Sequence, residues 1–116
     1  MLTAHKTVAF LVFGSCVLAS SAGFVAYRRQ QAGTLVAHLL ALAQTALVAQ
    51  VGLGLLLLSD GRRAPHQLHY AYGTFALLAT LSPWLYAPSE PRRRLLWFAG
   101  STLVAAALAA RAYMTA

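Results

Sequence analysis

Four long apolar runs, separated by short breaks that carry arginine, restrict what this chain can fold into. Each run holds about 20 predominantly apolar residues, which is the length that an α-helix needs to cross a hydrocarbon layer about 30 Å thick. The 116 residues leave room for one domain. We therefore predict an all-α, integral membrane, up-and-down four-helix bundle that forms a single membrane domain over residues 1–116. The helices are expected at about 5–27, 33–58, 66–85 and 95–115.

Composition and charge agree with a membrane location. Hydrophobic residues make up 59% of the chain and charged residues only 9%, yet the net charge is +7. In a soluble protein such an excess of Lys and Arg would suggest nucleic acid, but here the arginines fall in the breaks between apolar runs. No basic stripe with interleaved aromatic residues is present. We therefore predict membrane lipids, and not nucleic acid, as the partners of these cations.

The distribution of Lys and Arg between the two sides predicts an orientation. The first and third breaks carry five arginines, Arg28, Arg29, Arg92, Arg93 and Arg94. The other side carries four cations, Lys6, Arg62, Arg63 and Arg111. Cytoplasmic loops hold the excess of positive charge, so both termini are expected on the extracytoplasmic side of a bacterial inner (plasma) membrane.

Three of the four histidines are expected at one membrane face. His5 opens the first apolar run, and His66 and His69 open the third, which runs in the same direction if the helices alternate. His38 starts a helix from the opposite face. Two neutral imidazoles at one depth on different helices are what a haem held between two helices requires. We predict haem b with His5 and His69 as metal ligands and His66 as the alternative to His69.

Neighbouring residues suit the same cofactor. Gly73 lies one turn after His69 and leaves room for a flat macrocycle against the helix. Arg62 and Arg63 could pair with propionates at the rim, and Tyr70 or Tyr72 could hydrogen-bond there. A zinc or copper site made from the three histidines is an alternative, because imidazole suits both metals.

Short motifs in the first three helices resemble the four-helix half of haem A synthase and, more broadly, four-helix membrane cytochromes of b type. The motifs are His5-Lys6 at a helix start, the run Gln50-Val51-Gly52-Leu53-Gly54, and His66 or His69 opening the next helix. The resemblance implies His5 with His69 or His66 as axial haem ligands. Haem A synthase has two such halves and an acidic residue before its first histidine, which is absent here, so the resemblance implies haem binding and not haem oxidation.

The sequence offers few residues for acid and base catalysis. Asp60 and Glu90 are the only carboxylates, and both lie in predicted loops. We therefore expect no catalytic activity of its own, and two hypotheses remain. One is a haem-binding redox protein or electron-transfer subunit of a respiratory-type assembly. The other is a small structural or accessory subunit, without a cofactor, of a larger membrane complex or a homo-oligomer; a pigment-binding role lies between the two.

Overall fold

The computed structural model describes residues 2–30, 33–64 and 67–115, and this part of the chain is helical without any strand. The helices are α1 (Leu2–Arg28), α2 (Thr34–Ser59), α3 (Leu68–Leu81), the short α4 (Pro83–Tyr86) and α5 (Pro91–Met114). Three of them, α1, α2 and α5, are long and apolar enough to cross a membrane. The all-α prediction is thus confirmed for the described residues.

The third predicted helix, 66–85, is divided at Ser82 into α3 and α4. Pro83 causes the division, because it has no N–H to donate to the carbonyl of Ala79. The Ser82 hydroxyl donates to that carbonyl instead, at 2.8 Å. Ser82 keeps helical backbone angles (φ −58°, ψ −34°), so the backbone stays helical across the division. At a rise of about 1.5 Å per residue the two helices together extend about 28 Å, close to the thickness of a hydrocarbon layer.

A glutamine on α2 bridges this division. The side-chain amide of Gln44 donates from Nε2 to the carbonyl oxygen of Thr80 at 3.2 Å. Its Oε1 accepts a hydrogen bond from the indole Nε1 of Trp84 at 3.0 Å. One amide therefore contacts both α3 and α4 and fixes their position against the middle of α2.

The last long helix begins about one turn earlier than the predicted start at residue 95, because Glu90 caps it. The Glu90 carboxylate accepts from the backbone N–H of Arg93 at 2.8 Å and from that of Arg92 at 3.0 Å. Pro91 occupies the first turn, where its missing N–H is not needed. The hydrogen bonds from Arg93 and Arg92 hold the pKa of Glu90 below its ordinary value.

Packing of the helices is uneven. α1 packs along both α2 and α5, and α5 also packs along α3, whereas α2 touches α3 much less extensively. α1 and α3 make no close backbone contact and therefore face each other diagonally. The start of α1 lies beside the end of α2, since Gln50 bonds to His5, so these two helices are antiparallel. The core residues are mostly small or branched: Val12, Cys16, Ala19, Leu40, Ala43, Leu47, Ala76, Phe98, Ala105 and Ala106.

A close backbone approach lies between α1 and α5. A Cβ atom added to Gly23 would lie 2.8 Å from the Cβ of Ala99, which is too close for two carbon atoms. Gly23 is therefore required for the separation of these two helices. Small residues that allow backbones to approach are typical of helix interfaces in membranes.

Candidate functional site

A cavity of about 790 Å³ lies at the end of the bundle where α1 and α3 begin and α2 and α5 end. Its size falls within the range of small-molecule and cofactor sites, about 300–1,000 Å³. The weak packing between α2 and α3 leaves this space open. Six of the residues that the sequence singles out line it: His5, Arg62, Arg63, His69, Tyr70 and Gly73. The seventh, His66, lies outside the described residues.

Two imidazoles face each other across the diagonal of the bundle. The ring centres of His5 on α1 and His69 on α3 are 6.1 Å apart, and the ring planes are inclined by 76°. Both side chains are half-buried. His38, by contrast, is exposed on α2 and does not line the cavity. The structure therefore brings together the pair that alternating helix directions predict.

A main-chain carbonyl fixes the orientation of His69. The Nδ1 atom of His69 lies 2.7 Å from the carbonyl oxygen of Ala112. Because a carbonyl can only accept, Nδ1 carries the proton and Nε2 keeps its lone pair. Ala112 lies in the last turn of α5, and its carbonyl also accepts from the backbone N–H of Thr115 at 3.2 Å and from the Thr115 hydroxyl at 3.0 Å. A histidine whose second nitrogen donates to a carbonyl is the usual arrangement for an imidazole that binds a metal.

His5 is held differently. The Nε2 of Gln50 donates to the main-chain carbonyl of His5 at 2.9 Å, while the Nδ1 of the His5 ring is buried without a hydrogen-bond partner. Gly54 lies one turn after Gln50, and a Cβ there would come within 3.3 Å of the ring carbon Cε1 of His5. The backbone of α2 therefore approaches the His5 imidazole closely. A hydrogen bond holds the main-chain carbonyl of His5, whereas the Nδ1 of its ring has none.

Open space surrounds the backbone next to His69. A Cβ atom added to Gly73, one turn along α3, would meet no heavy atom within 4 Å. A flat group can therefore lie against this part of α3. The mouth of the cavity is cationic. Lys6, Arg62 and Arg63 line it, and no carboxylate of the described residues does.

The loop that carries these arginines is ordered by its own hydrogen bonds. Arg63 donates from Nη1 to the carbonyl of Leu58 at 2.9 Å. The backbone N–H of Ala64 donates to the Tyr70 hydroxyl oxygen at 2.7 Å. The Tyr70 hydroxyl can still donate its own proton to a ligand. An anionic group at the mouth would thus meet guanidinium and phenol donors.

Two parts of this site carry no clear signal in the sequence. The carbonyl of Ala112 is a main-chain acceptor, and every residue has one, so only the packing of α5 on α3 identifies it. Gln50 stands in a motif that the sequence singles out, but its bond to His5 depends on the register between α1 and α2.

Side chains of the described residues do not complete a metal site by themselves. Within residues 2–30, 33–64 and 67–115, no three His, Cys, Asp or Glu side chains are placed to hold one ion together. Two imidazoles can still bind a metal whose other ligands come from a cofactor. No protein-family model matches this chain, and comparison with curated proteins and with solved structures finds no significant match.

Proposed function

We propose that this chain is a membrane protein that binds one haem b between His5 and His69 and transfers electrons. The observation that carries the proposal is the His69 imidazole, whose Nδ1–H donates a hydrogen bond to the Ala112 carbonyl, so that its Nε2 lone pair is free beside the cavity. The second imidazole, that of His5, supplies the opposite ligand. His66 remains the alternative to His69.

The separation of the two rings suits a single metal ion between them. Bonds of about 2.0–2.1 Å from metal to imidazole nitrogen place the centres of two opposed rings about 6–6.5 Å apart. The observed separation is 6.1 Å. A zinc or copper ion would need further protein ligands, which the described residues do not offer. A tetrapyrrole brings four nitrogens of its own and needs only these two.

The surroundings of the histidines suit the remainder of the macrocycle. Gly73 offers open space along α3. The cations at the mouth, Arg62 and Arg63, can pair with the propionates, and Tyr70 can donate to them.

Electron transfer follows from the ligand set. When bound, the haem supplies a one-electron redox couple. His5 and His69 would hold the group from both sides, which would favour electron transfer over conversion of a substrate. With one redox centre the protein must receive electrons from one partner and pass them to another, and a larger respiratory-type membrane assembly would supply both.

A location in the bacterial inner membrane is part of the proposal. Large apolar side chains are exposed along the helices, among them Phe10, Leu42, Leu55 and Leu103. Exposed Trp84 and Tyr86 lie near one end, where aromatic side chains anchor at a membrane interface. The excess of arginine at that end orients it toward the cytoplasm, so the haem cavity and the termini face the extracytoplasmic side.

The absorption spectrum of detergent-purified protein tests the proposal. Protein made with ample haem should show the sharp reduced bands of six-coordinate haem b after dithionite is added. His69→Ala should lose or change these bands, and His5→Ala should lose the six-coordinate form, whereas His38→Ala, on an exposed part of α2, should leave the spectrum unchanged. A colourless wild-type protein would refute haem binding and would favour an accessory subunit without a cofactor.

A further inference from the structure

We propose that His69 is the fixed axial ligand and His5 the exchangeable one, so that a small neutral diatomic molecule can replace His5 on the metal. This inference rests on the haem site proposed above. It adds ligand binding to electron transfer and assigns different roles to two residues of the same type.

The first argument is the difference in how the two rings are held. The His69 ring donates its Nδ1 proton at 2.7 Å to Ala112, which fixes both its tautomer and its direction. The buried Nδ1 of the His5 ring, by contrast, has no hydrogen-bond partner among the described residues. A carbonyl acceptor also raises the basicity of an imidazole and strengthens its bond to a metal. His69 gains this support and His5 does not.

The second argument is that Gln50 can receive a displaced His5. Gln50 donates to the main-chain carbonyl of His5 at 2.9 Å, and its Oε1 is buried without a partner. Two unpaired polar atoms, the Nδ1 of His5 and the Oε1 of Gln50, thus belong to residues that already touch. A His5 ring turned away from the metal can donate its Nδ1 proton to this amide oxygen. Both atoms are then satisfied, which stabilises the displaced state.

The third argument is the place of His5 in the chain. It lies in the first turn of α1, where the backbone N–H groups have no helical acceptor and a helix opens most easily. His69 is likewise in a first turn, but its side chain ties α3 to the end of α5. Movement at the start of α1 can therefore release His5 while α3 stays in place.

The exchange itself is a substitution at the metal without oxidation or reduction. With haem bound, the nitrogen lone pair of His5 would leave the metal, and the lone pair of the incoming molecule would take its place. The vacated position lies on the α1 and α2 side of the cavity, beside Gly54, where an added Cβ would come within 3.3 Å of the present place of the His5 ring carbon Cε1. Carbon monoxide is the probe, since it is neutral, diatomic and binds reduced haem iron.

The test compares His5→Ala and His69→Ala with the wild type in detergent. The wild type should bind carbon monoxide after reduction. His5→Ala should retain haem in a five-coordinate form and bind carbon monoxide faster, and His69→Ala should lose haem affinity by about a hundredfold or more, at the upper end of losses seen when metal-supporting residues are removed. Equal loss of haem in both variants, or a wild type that is inert to carbon monoxide, would overturn the assignment.

Loss of folding is controlled in two ways. Ala112 also accepts from Thr115, at 3.2 Å from the backbone N–H and 3.0 Å from the hydroxyl, so its carbonyl stays paired in His69→Ala. Helical circular dichroism should be the same in all three proteins.

A measurement without haem separates this inference from the haem proposal. In protein with ¹⁵N-labelled histidine side chains, His69 should show a single tautomer with the proton on Nδ1, and His5 should show a mixture. A proton on Nε2 of His69 would refute the fixed role even if haem binds, whereas a wild type that binds no haem overturns both proposals.

Discussion

Substitution of Gly73 by leucine distinguishes an effect on ligand binding from an effect on folding. The leucine side chain should fill the cavity without destabilising the helix bundle. A Cβ at this position meets no atom within 4 Å, so the larger side chain enters open space. Glycine within a helix costs about 0.5–1 kcal/mol relative to alanine, and leucine is nearly as good a helix former as alanine. The protein without haem should therefore gain about 0.5–1 kcal/mol of stability.

Haem binding should change in the opposite direction. Gly73 lies one turn from His69, and a leucine there would occupy the space that a macrocycle bound to His69 needs. We expect the affinity for haem to fall by about a hundredfold or more, which corresponds to about 2.8 kcal/mol. The assay is a haem titration followed by the reduced absorption bands, with thermal unfolding of the haem-free protein measured by circular dichroism.

Gly52→Leu is the matched control. Gly52 is also a helical glycine whose added Cβ would meet nothing within 4 Å, but it does not line the cavity. This variant should gain similar stability and bind haem as the wild type does. If Gly73→Leu binds haem normally, the ligand does not lie in this cavity. If Gly73→Leu unfolds, the inference that open space lies beside Gly73 on α3 is wrong.

Three further changes test the fold around the site. Gly23→Ala places a Cβ 2.8 Å from that of Ala99, so α1 and α5 must separate, and thermal melts should show a loss of about 1–3 kcal/mol that Ala99→Gly partly restores. Gln44→Leu removes both hydrogen bonds across the division of the third helix; it should cost about 1 kcal/mol in detergent unfolding and shift the fluorescence of Trp84. Backbone hydrogen bonds lower the pKa of Glu90, so its cap is complete above the ordinary pKa of about 4.3 and is lost as the pH falls through the lowered value. The stability difference between wild type and Glu90→Gln should therefore be constant near neutral pH and vanish in acid; a difference that persists in acid would contradict this role.

The long helices could be predicted from the sequence because a membrane leaves few choices for an apolar chain. Segments of about 20 apolar residues must satisfy their backbone groups internally, and arginines mark where they end. The residues at which the helices begin and end are less clearly marked in the sequence. Glu90 and Pro91 lie in a stretch with two prolines and three arginines, a composition that predicts a loop. The Glu90 carboxylate nevertheless caps a helix that begins at Pro91. Pro83 marks the division at Ser82 in the sequence, but the Gln44 bridge that contacts both parts comes from another helix and carries no signal there.

The two histidines of the site could be predicted from the sequence, but the residues that contact and orient them could not. Alternating helix directions place His5 and His69 at one end of the bundle, whatever the details of packing. The partner of His69 is a carbonyl of Ala112, an alanine among many in α5, and no pattern marks it. The contact between Gly54 and His5 likewise depends on the distance between two helices, which periodicity does not give.

The cavity follows from how unevenly the helices attract one another. Gly23 lets α1 and α5 approach closely, whereas α2 meets α3 less extensively and is tied to it by the polar contacts of Gln44. In a membrane, apolar surface alone does not draw helices together, so small residues and hydrogen bonds determine which pairs pack. The end of the bundle beyond Gln44 has no such bond between α2 and α3 among the described residues. That end is where His5 and His69 face each other, and the same weak packing that costs stability there provides the space for a ligand.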